Sequence, residues 1–352
     1  MLVRTLSIIF ALMLPPAPLC AQESVGQTAY LQGNYAEAEL YYRKVIAAVE
    51  IRGAPAEERV LAWGNLAAVL LDAGRFKEAE ELLSRGLNLL KSAPVSPEVH
   101  AAVLSNLAGV YLGTNQFVRA EAVLKEGSTL LEKTAPDSAS MAVVLKNLGI
   151  VYSKTDRLKQ GLASLEKSRA IAEKIATIDP GQVAAILTSL AGVHTMRKDW
   201  KNAVTLLHRA IDRLETSFGP EHPGVADALN TLGEVYLAQH QDIRAEAVLR
   251  RALAIRLKVL GPDQYAVAQT ASRLAAAVAA HGGFTEARGL LATSVPVQER
   301  TLGPRAPQFL SALEEYAGVL RKLKDSQAQE IEIRAKDIRA ELSYTVSVDR
   351  LR

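Results

Sequence analysis

The sequence predicts an all-α protein made of about eight helical hairpins in series, and three observations carry that prediction. A leucine-centred motif recurs at Leu66, Leu107, Leu148, Leu190, Leu232 and Leu274, in steps of 41, 41, 42, 42 and 42 residues, a register that unrelated segments do not hold. Thirteen residues past each leucine stands a small residue: Ala79, Ala120, Gly161, Ala203, Ala245 and Ala287. Composition agrees. The 56 alanines against 18 aromatic residues favour closely packed helices, because alanine is the best helix former and sheets draw on β-branched and aromatic side chains.

The chain opens with a segment unlike the rest. Arg4 gives it a positive start, Leu6 to Leu14 an apolar run, and Pro15 to Ala21 a helix-breaking, small-residue end. That is the layout of a cleavable signal peptide over residues 1–21, and it implies a secreted or periplasmic location. The apolar run is too short to cross a bilayer, which takes roughly 20 residues, and no later stretch qualifies as a membrane span. Cys20 raises a rival reading as a lipid anchor, but Ala17-Pro18-Leu19 before it fit a lipoprotein signal poorly. Cleavage after Ala21 would remove the single Cys, so a disulfide framework and a Cys-based metal site are excluded.

From Ser24 on, the repeat dictates the elements. The register reaches back to Val25-Gly26 with Ala38 and forward, more loosely, to Tyr316-Ala317 with Ala328, so the solenoid covers residues 22–342. Within a unit, Leu229, Leu232, Val235 and Tyr236 mark one face of a first helix, and Ala245, Val248, Leu249, Ala252 and Ile255 one face of a second. Small residues stand where the two helices must approach. An aromatic residue often opens the second helix (Tyr35, Phe76, Phe117, Trp200, Phe284), and Gly33-Asn34, Gly74-Arg75, Asn115-Gln116 and Gly282-Gly283 supply turns between the pair. Between hairpins lie Pro-bearing joints at Pro94, Pro136, Pro180, Pro220, Pro262 and Pro304, none of which can continue a helix. Asp325 to Leu342 alternates charge at helical spacing and reads as a capping helix over the last apolar face. Residues 343–352 form a short tail.

The pattern Leu229-x-x-Leu232-Gly233-x-x-Tyr236 leading to Ala245, and Trp63-x-x-Leu66-Ala67 leading to Ala79, resembles the tetratricopeptide repeat. The unit exceeds the usual 34 residues, and with joints such as Phe218-Gly219-Pro220-Glu221-His222-Pro223 it is similar to the kinesin-light-chain type of that repeat. The resemblance covers almost the whole chain after residue 24. Asp242, at a normally apolar place, departs from it. It implies a right-handed superhelical solenoid whose first helices line a concave groove, and a scaffold that binds protein or extended peptide.

The same resemblance implies that the residue before each repeated leucine faces the groove: Asn65, Asn106, Asn147, Ser189, Thr231 and Arg273. Three successive Asn form a ladder, and an amide can pair with both the N–H and the C=O of an extended backbone. Asn230 joins the strip from the neighbouring position, beside Ser105, Lys146 and Thr188, and Glu234 from the next turn. The competing reading is that these side chains solvate the face or bond to adjacent repeats.

Other chemistry finds no support. A net charge of +3, from 41 basic and 38 acidic residues, gives no reason to expect nucleic acid as partner. The six His are scattered without metal-ligand spacing, and His194 occupies a slot held by Tyr in neighbouring units, so it reads as a packing residue. No phosphate loop and no grouped Ser, His and acid are present, so neither catalysis nor a cofactor nor a metal is expected. The expected function is a non-catalytic exported scaffold. Its alternatives are self-assembly through the Ala275-Ala276-Ala277 and Ala279-Ala280 face, or an accessory subunit of an extracytoplasmic enzyme or transport complex.

Overall fold

The computed structural model describes residues 20–349 except Pro94 and Thr177, and among these every regular element is an α-helix. Eight hairpins follow in order: α1 (Cys20–Leu31) with α2 (Tyr35–Ile51), α3 (Ala56–Asp72) with α4 (Phe76–Leu90), α5 (Pro97–Gly113) with α6 (Phe117–Thr134), and α7 (Ala139–Lys154) with α8 (Leu158–Lys174). Then come α9 (Pro180–Met196) with α10 (Trp200–Phe218), α11 (Pro223–Ala238) with α12 (Asp242–Leu260), α13 (Tyr265–Ala280) with α14 (Phe284–Leu302), and α15 (Pro307–Lys322) with α16 (Ala328–Asp349). The expected signal peptide lies outside the described residues but for its last two positions, which begin α1.

Every turn inside a hairpin is made by one residue in the left-handed region. Gly33, Gly74 and Gly282 supply it where glycine is available, and Asn115, Asp156, Lys198, His240 and Lys324 adopt φ between 56° and 61° in the same register. Helix starts use ordinary caps: Ser96, Ser138 and Asp179 accept from the backbone N–H three residues on, and a Pro occupies the first helical position of α5 and α9. Asp242, out of place as an apolar residue, opens α12, where a carboxylate meets the positive end of the helix dipole.

Packing explains the small-residue register. Ala38, Ala79, Ala120, Ala203, Ala245 and Ala287 have no exposed surface, and at the glycine of the same row, Gly161 of α8, a Cβ would lie 3.0 Å from the Gly149 carbonyl oxygen of the partner helix α7. A second small-residue row lies seven positions further on: Gly86, Gly127, Ser168, Ala210, Ala252 and Ser294 are all buried. There the even helix wedges between two successive odd helices, and a Cβ on Gly86 would contact Val60 of α3 and Val103 of α5 at 3.8 Å each. The two Ser of this row satisfy their hydroxyls inside the joint, Ser168 donating to the Ala142 carbonyl at 2.6 Å and Ser294 pairing with Ser272 at 3.0 Å.

The chain divides into two compact units, residues up to 228 and residues from 229 on. In the first, α3, α5, α7 and α9 lie side by side with the even helices behind them. The second unit has its own core, where Phe309, Leu313, Leu291, Val295 and Ile338 pack together and α13 neighbours α15. Ala275 and Ala277 are buried in this unit, so the alanine face considered for self-assembly is largely used by packing within the chain. The last helix runs beyond the expected cap to Asp349, since no Gly or Pro interrupts the sequence after Leu342.

Ionic contacts repeat along the even helices. Arg75 reaches back to Glu39 at 2.6 Å and Arg157 to Glu121 at 2.5 Å, each pair separated by 36 residues, and Arg250 holds Glu286 at 2.6 Å. Two arginines also lie over tyrosines of the repeat register, Arg119 of α6 over Tyr111 at 4.1 Å and Arg157 of the α7–α8 turn over Tyr152 at 4.6 Å. His194, in the Tyr slot of its repeat, instead pairs its Nδ1 with Asp199 at 2.9 Å.

Candidate functional site

The strip read from the sequence falls on the odd helices. In the first unit Asn65 (α3), Asn106 (α5), Asn147 (α7) and Ser189 (α9) occupy equivalent positions on helices that pack side by side. Asn106 is buried and donates its Nδ2 to the Gly64 carbonyl at 3.3 Å, tying α5 to α3. Ser189 donates to the Ala185 carbonyl in its own helix at 2.8 Å. Among the described residues, the side chains of Asn65, half-buried, and Asn147, buried, make no hydrogen bond, so neither amide is committed to a partner within the fold.

Lys146 stands beside this row, one position before Asn147. Only 2% of it is exposed, and burial pulls its ammonium down to about 8 against the opposing pull of the Asp72 carboxylate. Asp72 itself accepts from the Tyr30 hydroxyl at 2.5 Å. A buried cation beside the amide row is costly to hold, since an apolar side chain would cost less to bury.

In the second unit the strip forms a connected network. Asn230 Oδ1 accepts from Thr270 at 3.2 Å and from Arg273 Nη1 at 3.3 Å, while Thr270 in turn accepts from the buried Arg256. Arg273 also pairs with Glu234. Burial lowers the Arg273 guanidinium to about 9, leaving it protonated at neutral pH. Thr231 lies beside Asn230, buried.

Two participants escaped the reading of the sequence. Arg256 lies on an even helix, off the positions that the repeated leucine marks, and it enters the network by donating to the Thr270 hydroxyl and the Ala266 carbonyl of α13. Glu315 lies 42 residues after Arg273 and continues the row by one repeat. Extending the register past the last clear leucine would have found it.

Among the described residues no three His, Cys, Asp or Glu converge as a metal site, and no helix is long and apolar enough to cross a membrane. His222 stacks on Phe218 with ring centroids 4.7 Å apart and accepts from the Gly224 N–H at 3.1 Å, which places it at the start of α11.

Comparison with known proteins agrees with this architecture. Tetratricopeptide-repeat profiles match residues 18–92, 182–258 and 267–307. No curated protein matches the chain. Among solved structures, the Rap protein complexed with Competence and Sporulation Factor is similar at a TM-score of 0.61 and 15% identity, covering 84% of this chain and 80% of that one. BtubC (BKLC) from P. vanneervenii aligns at a TM-score of 0.54 and 16% identity, over 65% of this chain and 92% of that one. A Podosopora anserina putative kinesin light chain with nearly identical TPR-like repeats aligns at 0.45 and 22% identity, over 59% and 98%. The repeat register, the eight hairpins and the matching profiles together establish that the chain belongs to the tetratricopeptide-repeat family.

Proposed function

We propose that this protein is a non-catalytic, exported scaffold that holds an extended peptide or protein segment along the face of its odd helices. The observation that carries the reading is the row Asn65, Asn106, Asn147 and Ser189, polar and in register on four neighbouring helices. Repeating amides match the repeating N–H and C=O groups of an extended chain without demanding a particular side-chain sequence. Asn65 and Asn147 have amides free to do this, whereas Asn106 would give up its bond to Gly64 or add a contact through its Oδ1. Export rests on the layout of residues 1–21.

The test is peptide-array binding by the chain lacking residues 1–21, with the Asn65, Asn106 and Asn147 triple alanine variant as control. Capture by the parent chain and its loss in the variant support the reading. Equal capture by both would remove the row from the binding site. Self-assembly is the second reading, favoured only by the exposed Ala280 end of the alanine face. Light scattering that shows a monomer at all concentrations would eliminate it.

A further inference from the structure

One helix of the second unit carries polar acceptors that the fold leaves unused. On α15, Phe309, Ala312, Leu313 and Leu320 face the core. A different stripe holds Gln308, Ser311, Glu315 and Gly318, at spacings of three, four and three residues along one side of the helix. Glu315 Oε1 and Gln308 Oε1 are both buried and both lack a hydrogen-bond partner. Unmade bonds of this kind are rare in folded proteins and call for a partner.

The neighbouring cation does not supply it. Arg273, one repeat earlier in the same row, is engaged by Glu234 and by Asn230. Burial accordingly pushes the Glu315 carboxyl up to about 7, because no positive group compensates its charge. There is also room beside it: Ser311 is exposed, and a Cβ built on Gly318 would meet nothing within 4 Å.

We propose that the α15 stripe is a subsite for a basic side chain, a lysine ammonium or an arginine guanidinium, carried by an extended segment that binds the second unit and lies along α15. This rests on the peptide-binding reading above. Glu315 accepts the cationic N–H groups in a charge-assisted bond. Gln308, two helical turns or about 10 Å away, accepts a backbone N–H about three residues along the same extended segment. The preference is local, since the whole chain is itself positive by +3 and would weakly repel a cation.

The test uses the chain lacking residues 1–21 and rhodamine-labelled, N-acetylated nonapeptides of Gly, Ser and Ala bearing one central Lys, acetyl-lysine or Glu, read by fluorescence anisotropy. A fourth probe with a free N-terminus and no Lys separates side-chain recognition from capture of a terminal amine. The Lys probe should bind at least about tenfold tighter than the acetyl-lysine probe, and the Glu probe weakest. Glu315→Gln should collapse the Lys to acetyl-lysine ratio to near one, and Gln308→Ala should weaken all the probes together. Glu315→Asp, with unchanged helical circular dichroism, guards against a folding defect and should keep part of the ratio. Equal binding of the Lys and acetyl-lysine probes, a ratio that survives Glu315→Gln, or preference for the free-amine probe alone would overturn the assignment. If the probes bind equally and the Asn triple variant loses them, this subsite fails and the groove reading stands. If no probe binds at all, both fail.

Discussion

Gly149 of α7 and Gly161 of α8 face each other across one hairpin, and a Cβ built on either would lie 3.0 Å from the carbonyl oxygen of the other. Backbone cannot retreat as a flexible side chain can, so Gly149→Ala or Gly161→Ala should destabilise the fold by about 1–3 kcal/mol. Gly127, in the second small-residue row, is different: its added Cβ would find Val144 and Ala101 at ordinary contact, 3.7 and 3.8 Å. Gly127→Ala should stabilise by about 0.5–1 kcal/mol, through the lower conformational entropy of the unfolded chain. Urea unfolding of the three variants should therefore give shifts of opposite sign.

Lys198 and Lys324 hold φ of 60° and 56° at hairpin turns where other repeats use glycine. The left-handed conformation costs an L-residue roughly 1–2 kcal/mol, which exceeds the entropic cost of glycine. Lys198→Gly should raise the melting temperature, and Gly74→Ala, at φ 76°, should lower it. Differential scanning calorimetry on the pair measures both.

These turns also show where the sequence is readable and where it is not. The hairpins are legible because one small residue per helix is a steric requirement that repeats, and because Pro and Gly mark the joints. Lys198 and Lys324 give no signal, since lysine is not a turn former and the flanking helices impose the conformation. The groove row is legible by register alone, yet its hydrogen bonds are not. Nothing in Asn106 reveals that it bonds Gly64 while Asn147, in the same register one repeat later, bonds to no described residue. Glu315 lies within reach of the same register and is hidden because Tyr316 replaces the guiding leucine.

The Glu121 carboxyl is held down to about 2, first by its hydrogen bonds from Arg157, against a cost of desolvation, with Lys125 assisting. Its unfolded value is near 4.5, so its contribution to stability is full above that pH and is lost as pH falls from 4.5 toward 2. Glu121→Gln should lower stability at pH 7, and the gap to the parent chain should close at the acid end of that window. High salt should narrow the gap as well, because the partners are partly exposed. Thermal melts across pH 2 to 7 provide the check.

In Lys146 it is the charged form that the fold disfavours. Its ammonium titrates near 8 when folded and 10.5 when not, so folding releases its proton between those values and stability rises with pH through that window. Lys146→Met should flatten the rise between pH 8 and 10.5. A stability profile with the same slope in both chains would show that the ammonium is not buried at a cost.

The most direct measurement of the central claim is the affinity of the chain lacking residues 1–21 for the tightest array-selected peptide, compared with its Asn65, Asn106 and Asn147 triple alanine variant by isothermal titration calorimetry. Each lost amide contact is worth about 0.5–1.5 kcal/mol, so the account predicts a loss of about tenfold or more with helical circular dichroism unchanged. An affinity equal to that of the parent chain, in a variant that is equally folded, would contradict it.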